Sequence, residues 1–189
     1  MSKEFFEVFP TFLGLQTTDE IKGQELLGVV SPTGDKRADY VKAYYGIAEK
    51  VGKEFGINPI VILAQAALES GWGTSPLARL YHNFFGVTAY GSLNKYWTGG
   101  KYVSKSSGLP FRTYKDVEAG FSDFARLITS KYAAAAKASS SVTEYARIIA
   151  SSPYINEKNG DNRAKYKEII IRNAVAIITI AKKFQSLYN

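Results

Sequence analysis

The chain has no cysteine, a single histidine and a single methionine in its 189 residues. No disulfide or thiol nucleophile is available, so cysteine usage leaves the redox setting open. A lone histidine with no cysteine argues against a zinc site, and neither a metal nor a cofactor is expected. No apolar run has the length of a membrane span. The most apolar stretch, Ile169 to Ile180, is interrupted by Arg172 and Asn173, which argues against stable membrane insertion. The opening Met1-Ser2-Lys3-Glu4-Phe5-Phe6-Glu7 lacks the basic start, apolar centre and cleavage site of a secretory leader. Acidic side chains are missing from one long stretch: residues 70 to 115 contain neither Asp nor Glu.

The residues present suffice for one domain with a sizeable core, since 46% of them are apolar. The net charge of +7 points to a polyanionic partner: nucleic acid, an anionic membrane surface or an anionic cell-wall polymer. Phe5, Phe6, Phe9, Phe12 and Leu13 cluster near the start without a sustained period, and Gly28, Pro32 and Gly34 punctuate the end of this region. Residues 1–34 therefore read as an extension packed on a domain of residues 35–189.

Periodicity predicts a long helix over about 36 to 55, with Val41, Tyr44, Tyr45, Ala48, Val51 and Phe55 on its inner stripe. A second helix is predicted from Pro59 to Ser70. Asn58 can cap it, Pro59 suits its first position, and Gly71 and Gly73 end it. Glu69 lies in its last turn. There the helix dipole and apolar neighbours, with Trp72 as a candidate wall, both favour the protonated carboxylic acid. A protonated carboxyl near neutral pH is what a general acid needs. Gln65, one turn earlier, reads as a surface hydrogen bonder, and His82 as structural.

Between residues 71 and 115 helical periodicity disappears. Lys101–Ser104 and Leu109–Tyr114 are predicted as two short strands around a Ser106–Gly108 turn. Tyr81, Phe84, Phe85, Tyr90, Tyr96, Trp97 and Tyr102 stand here among basic residues, a mixture suited to stacking on sugars or on single-stranded nucleic acid. Helices resume after Asp116. Ser141-Val142-Thr143-Glu144 forms a capping box before another helix, and the last runs from about Asn162 to Leu187. The middle of that last helix is expected to be the most buried helix surface. The outline is a mainly helical α+β domain, with a cleft between a helical lobe and a small β-hairpin.

Ala64-Gln65-Ala66-Ala67-Leu68-Glu69-Ser70-Gly71-Trp72-Gly73 resembles the signature of the bacterial β-N-acetylglucosaminidase domain, glycoside hydrolase family 73. This domain occurs in flagellar peptidoglycan hydrolases and autolysins. Asn83-Phe84-Phe85-Gly86-Val87 resembles that family's Asn-Leu-Phe-Gly-Ile element, and Phe111-Arg112-Thr113-Tyr114 its Phe-Arg-x-Tyr element. Tyr154-Ile155-Asn156-Glu157 with Tyr166 resembles a degenerate Tyr-Ala-Thr-Asp…Tyr element.

The resemblance implies a lysozyme-like fold that cuts peptidoglycan glycan strands at the β-1,4 bond between N-acetylglucosamine and N-acetylmuramic acid. It puts Glu69 in the general-acid position and Tyr154 beside the reacting sugar. It makes Trp72, Asn83, Phe84 and Phe85 groove residues, with Tyr96 and Trp97 as further candidates for stacking on sugar. The chain departs from the family in having no second acid in the β element. The substrate's acetamido group, Glu157 or the sugar's own 6-hydroxyl could fill that role. The last is lytic transglycosylase chemistry, where a Glu-Ser pair such as Glu69-Ser70 is common. A non-catalytic wall-binding module and a nucleic-acid binder are the other readings, and the lack of any purpose for Glu69 weighs against the nucleic-acid one. The expectation is a monomer acting at the bacterial cell wall or periplasm, not on nucleic acid. With no leader visible, it would be a phage endolysin, a secretion-system cargo or a trimmed chain.

Overall fold

A computed structural model describes residues 33–155 and 162–188. Most of the predicted N-terminal extension, and Glu157, lie outside the described residues. Seven helices and one small sheet make up the described part. They are α1 (Lys36–Phe55), α2 (Pro59–Ser70), α3 (Pro76–Tyr81), β1 (Lys101–Val103), β2 (Pro110–Arg112), α4 (Val117–Lys131), α5 (Ala133–Lys137), α6 (Val142–Ser151) and α7 (Arg163–Tyr188).

Local capping chemistry sets most of these boundaries. The Asn58 side chain accepts from the Ile60 amide at 2.9 Å, and Pro59 occupies the first turn of α2. Asp116 accepts from Ala119 at 2.8 Å to start α4, and Ser141 accepts from Glu144 at 3.3 Å to start α6. The Glu144 carboxylate does not complete the predicted capping box. It pairs with Arg147, one turn on, at 2.9 Å. Helix α3 has no counterpart in the predicted elements. Its Ser75-Pro76 start repeats the Asn58-Pro59 signal, but six residues are too few to show a period.

Helix α2 is the centre of the molecule. It packs against α1 and α7, with a lighter contact to α6, and every residue from Ile60 to Ala67 is buried. The most buried helix surface is therefore here and not on α7, whose Val175 is 59% exposed. Burial all round α2 also corrects the reading of Gln65. It is fully buried and accepts the hydroxyl of Tyr145 from α6.

The sheet is a single antiparallel pair, with Lys101 opposite Arg112, Tyr102 opposite Phe111 and Val103 opposite Pro110. Thr88 adds an isolated bridge to Phe111. A two-stranded sheet this short cannot hold a lobe in place by itself. A buried polar hub does so. Asp123 of α4 accepts from Arg112 (2.6 Å), Tyr114 (2.9 Å), Asn94 (3.0 Å) and Arg126 (2.9 Å). Arg112 also donates to the carbonyls of Thr88 and Tyr90, at 3.1 and 2.7 Å, and lies over the Trp97 ring at 4.0 Å. One carboxylate thus ties the hairpin and the loop before it to the helical lobe.

Candidate active site

A cleft of about 490 Å³ lies between the helical lobe and the loop-and-hairpin lobe. Glu69 enters it from the end of α2. Tyr154 and Tyr166 approach from the chain after α6 and from α7, Lys131 and Tyr132 from the end of α4. Thr88, Tyr90 and Arg112 form the opposite wall.

The turn that ends α2 decides where Glu69 points. Gly71, Trp72 and Gly73 take φ values of 59°, 62° and 73°, three left-handed residues in succession. Glycine adopts this readily, whereas tryptophan does so at a cost of roughly 1 kcal/mol. Ser70 holds the turn. Its buried hydroxyl donates to the Ala66 carbonyl and accepts from the Gly73 amide at 2.8 Å. That hydroxyl is committed to the helix end, so the Glu69-Ser70 pair carries no sign of a shared role in chemistry. A side chain at Gly73 would press on Tyr40, Tyr44 and Phe84, so the chain passes tightly here.

This turn also carries Trp72 away from Glu69. The indole packs edge-on against Tyr40 at 5.3 Å, under the Arg37 guanidinium at 5.2 Å, and does not line the cleft. The surroundings of Glu69 are phenolic instead of indolic, and Glu69 itself is exposed to the cleft and not desolvated by a tryptophan wall.

The Tyr166 hydroxyl donates to Glu69 Oε1 at 2.7 Å. Tyr154 packs between Tyr132 and Tyr166, with ring centroids 5.4 and 6.3 Å away. Burial pushes the Tyr154 phenol well above its ordinary value, and the Glu69 charge pushes it further. Tyr166 is raised first by burial, then by Tyr154 and Glu69. Tyr145, behind them, is raised by burial and by Glu69. These phenols therefore keep their protons at any physiological pH. Around Glu69 they serve as hydrogen-bond donors, not as bases.

The other residues expected to shape the groove divide sharply. Phe85 reaches the cleft while stacked on Phe124 at 3.7 Å. Phe84 is 1% exposed, inside an aromatic cluster with Tyr44 and Phe121, and is core. Asn83 is equally buried. Its amide donates to the carbonyls of Val87 and Arg112, both at 2.9 Å, which locks the loop onto β2. Trp97 is buried and donates to the Gly100 carbonyl at 2.7 Å. Tyr96 donates to Glu54 on α1 at 2.7 Å, away from the cleft. Besides Phe85 and Tyr154, the aromatics that line it are Tyr90, Tyr132 and Tyr166, which carry weaker signals in the sequence. Tyr132 merely ends the apolar stripe of α4, and Tyr166 stands in a motif without an assigned role. His82 accords with its structural reading, with Nδ1 3.1 Å from the Tyr114 carbonyl.

Among the described residues, no group of His, Cys, Asp and Glu could hold a metal ion, and no helix is long and apolar enough to cross a membrane. Glu69 is the only carboxylate among the described residues that line the cleft.

Comparison with known proteins gives this geometry a family. The model of a family described as mannosyl-glycoprotein endo-beta-N-acetylglucosaminidase, or Glucosaminidase, matches residues 45–177. The chain belongs to the glucosaminidase family. A probable N-acetylmuramidase of Lactococcus lactis is 30% identical over 159 residues, covering 77% of this chain and 36% of its own length. The peptidoglycan hydrolase FlgJ of Vibrio parahaemolyticus is 28% identical over 107 residues, covering 50% of this chain and 33% of its own. This glucosaminidase domain thus spans about a third of the length of those relatives. The glycoside hydrolase domain of Salmonella typhimurium FlgJ superimposes with a TM-score of 0.61 at 24% identity, over 82% of this chain and 95% of that one. The fold is thus the lysozyme-like glycoside hydrolase fold, mainly helical with one small antiparallel sheet.

Proposed function

We propose that this domain hydrolyses the glycan strands of peptidoglycan at the β-1,4 bond between N-acetylglucosamine and N-acetylmuramic acid, with Glu69 as general acid. The observation that carries this reading is the placement of Glu69 at a helix end, open to a cleft and held by the Tyr166 hydroxyl at 2.7 Å. When Glu69 gives its proton to the glycosidic oxygen it becomes a carboxylate. The hydrogen bond from Tyr166 strengthens as that charge develops, so it favours the transition state over the ground state.

The second half of the reaction needs a nucleophile at C1. Glu157, the other candidate for this step, lies outside the described residues; we take the substrate's 2-acetamido oxygen as the nucleophile, a recognised exception to the two-carboxylate scheme. It attacks C1 as the leaving oxygen takes the Glu69 proton. Water then opens the cyclic intermediate at C1, and Glu69 recovers a proton from that water. Tyr154, protonated and on the cleft with Glu69, is the residue we assign to contact the reacting sugar. The domain would act as a monomer at the cell wall or periplasm, without a cofactor.

The test is digestion of purified peptidoglycan with wild type and Glu69→Gln, followed by mass spectrometry of new chain ends. Reducing N-acetylglucosamine ends, absent with Glu69→Gln, are expected. Reducing muramic acid ends would instead assign muramidase specificity, the activity in the name of the Lactococcus relative. Anhydro-muramic ends would assign transglycosylase chemistry. Intact strands with bound protein would indicate a wall-binding module.

A further inference from the structure

Among the described residues two cations line the cleft, and they differ in what they already hold. Arg112 is 6% exposed and spent: its three nitrogens donate to Thr88, Asp123 and Tyr90. Lys131 stands at the end of α4, beside Tyr132 and one turn from Leu127, all three on the cleft. It is exposed, and it makes no ion pair with any described residue. The neighbouring wall, residues 70 to 115, brings no acid that could pair with it.

A bare polymer of N-acetylglucosamine offers an ammonium group nothing but neutral hydroxyls and amides. A muramoyl sugar differs by carrying a lactyl ether at O-3, which bears a carboxylate either directly or further out along an attached peptide. We infer that Lys131 is a specificity residue that binds a carboxylate carried on the O-3 substituent of the muramoyl sugar. The inference rests on the reading of this cleft as a peptidoglycan site and adds which sugar lies beside α4. A lysine ammonium suits this task, as a flexible point charge that reaches a carboxylate without a fixed fork geometry. Because the site is open to solvent, the gain is modest and falls as salt is added.

The test uses the full chain as wild type, Lys131→Gln and Lys131→Arg. Three substrates are compared: native wall, wall whose carboxylates have been amidated with a carbodiimide and an amine, and strands stripped of peptide by an amidase. On native wall Lys131→Gln is expected to lower kcat/KM about three- to tenfold, with Lys131→Arg retaining most activity. On amidated wall, wild type and Lys131→Gln should turn over at the same rate, because removing either partner removes the same interaction. A loss on stripped strands shows binding of the free lactyl carboxylate that the amidase uncovers. A loss confined to native wall identifies one on the peptide. Equal loss on native and amidated wall, or no loss on either, overturns the assignment. Wild type that leaves all three glycans uncut overturns the hydrolase reading itself, a result distinct from either.

Discussion

Two carboxylates separate the halves of this molecule. Asp123 is 1% exposed and accepts from four side chains that reach it from the loop, the hairpin, the segment after it and its own helix. Glu69 is exposed, sits on a cleft and is held by a tyrosine from a distant helix. A buried carboxylate surrounded by donors is committed to structure, because losing its charge would strand two arginines. A carboxyl exposed on a cleft, held by a phenol that stays neutral, lies where a substrate can reach its proton. Burial and partners, not residue type, assign the two roles.

The comparison is broken most decisively by exchanging one carboxyl for its amide. Glu69→Gln is expected to reduce wall lysis by about 10²–10⁴-fold, with the thermal midpoint within a few degrees of wild type. Turbidity loss and a melting curve measured on one preparation decide it. Retained lysis removes Glu69 from the chemistry. Asp123→Ala should do the reverse in kind. Stripping the partner from Arg112 and Arg126 is expected to cost about 3–5 kcal/mol, seen as a clear drop in the urea midpoint. If Asp123→Ala melts like wild type, the hub does not hold the lobe.

Alkaline pH probes the phenols that surround both carboxylates. Tyr154, Tyr166 and Tyr145 near Glu69, and Tyr114 beside Asp123, all ionise above their usual value of 10.0, each chiefly because it is buried. In the unfolded chain they would ionise near the ordinary value. Their contribution to stability is therefore complete below about pH 10 and is lost as pH rises beyond it, at about 1.4 kcal/mol per pH unit for each phenol. Phenolate absorbance should appear together with unfolding and not before it. Ionisation of these phenols in a still-folded chain would contradict their burial.

What could be read from the sequence was local. Asn58-Pro59, Gly71, Asp116 and Ser141 place helix ends within a few residues because each acts through hydrogen bonds to its own neighbours. Glu69 was readable because its motif and its helix-end position coincide. Apart from the incomplete capping box at Ser141 and the short helix α3, the misreadings are long-range. Trp72 comes three residues after Glu69 but leaves it through three left-handed residues, which the glycines signal only in part. Gln65 faces another helix, since α2 is enclosed on all sides and has no polar face to offer. Asn83, Phe84 and Trp97 look like groove residues but are buried, because a lobe with so little sheet needs side chains to hold it. Asp123 falls on the polar side of no obvious pattern. Its meaning depends on Arg112, Tyr114 and Asn94, which only the fold brings together.

A gentler change sharpens the contrast by leaving both carboxylates in place. Tyr166→Phe removes the hydroxyl that donates to Glu69 and keeps the ring against Tyr154. Losing one such bond is worth about 1 kcal/mol, so kcat should fall roughly five- to tenfold, and the melting midpoint should hardly move. The pH profile tells this apart from simple loss of packing. A phenol donor favours the charged carboxylate, so without it Glu69 holds its proton to higher pH. The alkaline limb of the activity profile should then shift upward, whereas a packing defect would lower the whole profile without displacing it. The matching change at the hub, Tyr114→Phe, removes a 2.9 Å donor from Asp123 and should lower stability while leaving that limb where it was.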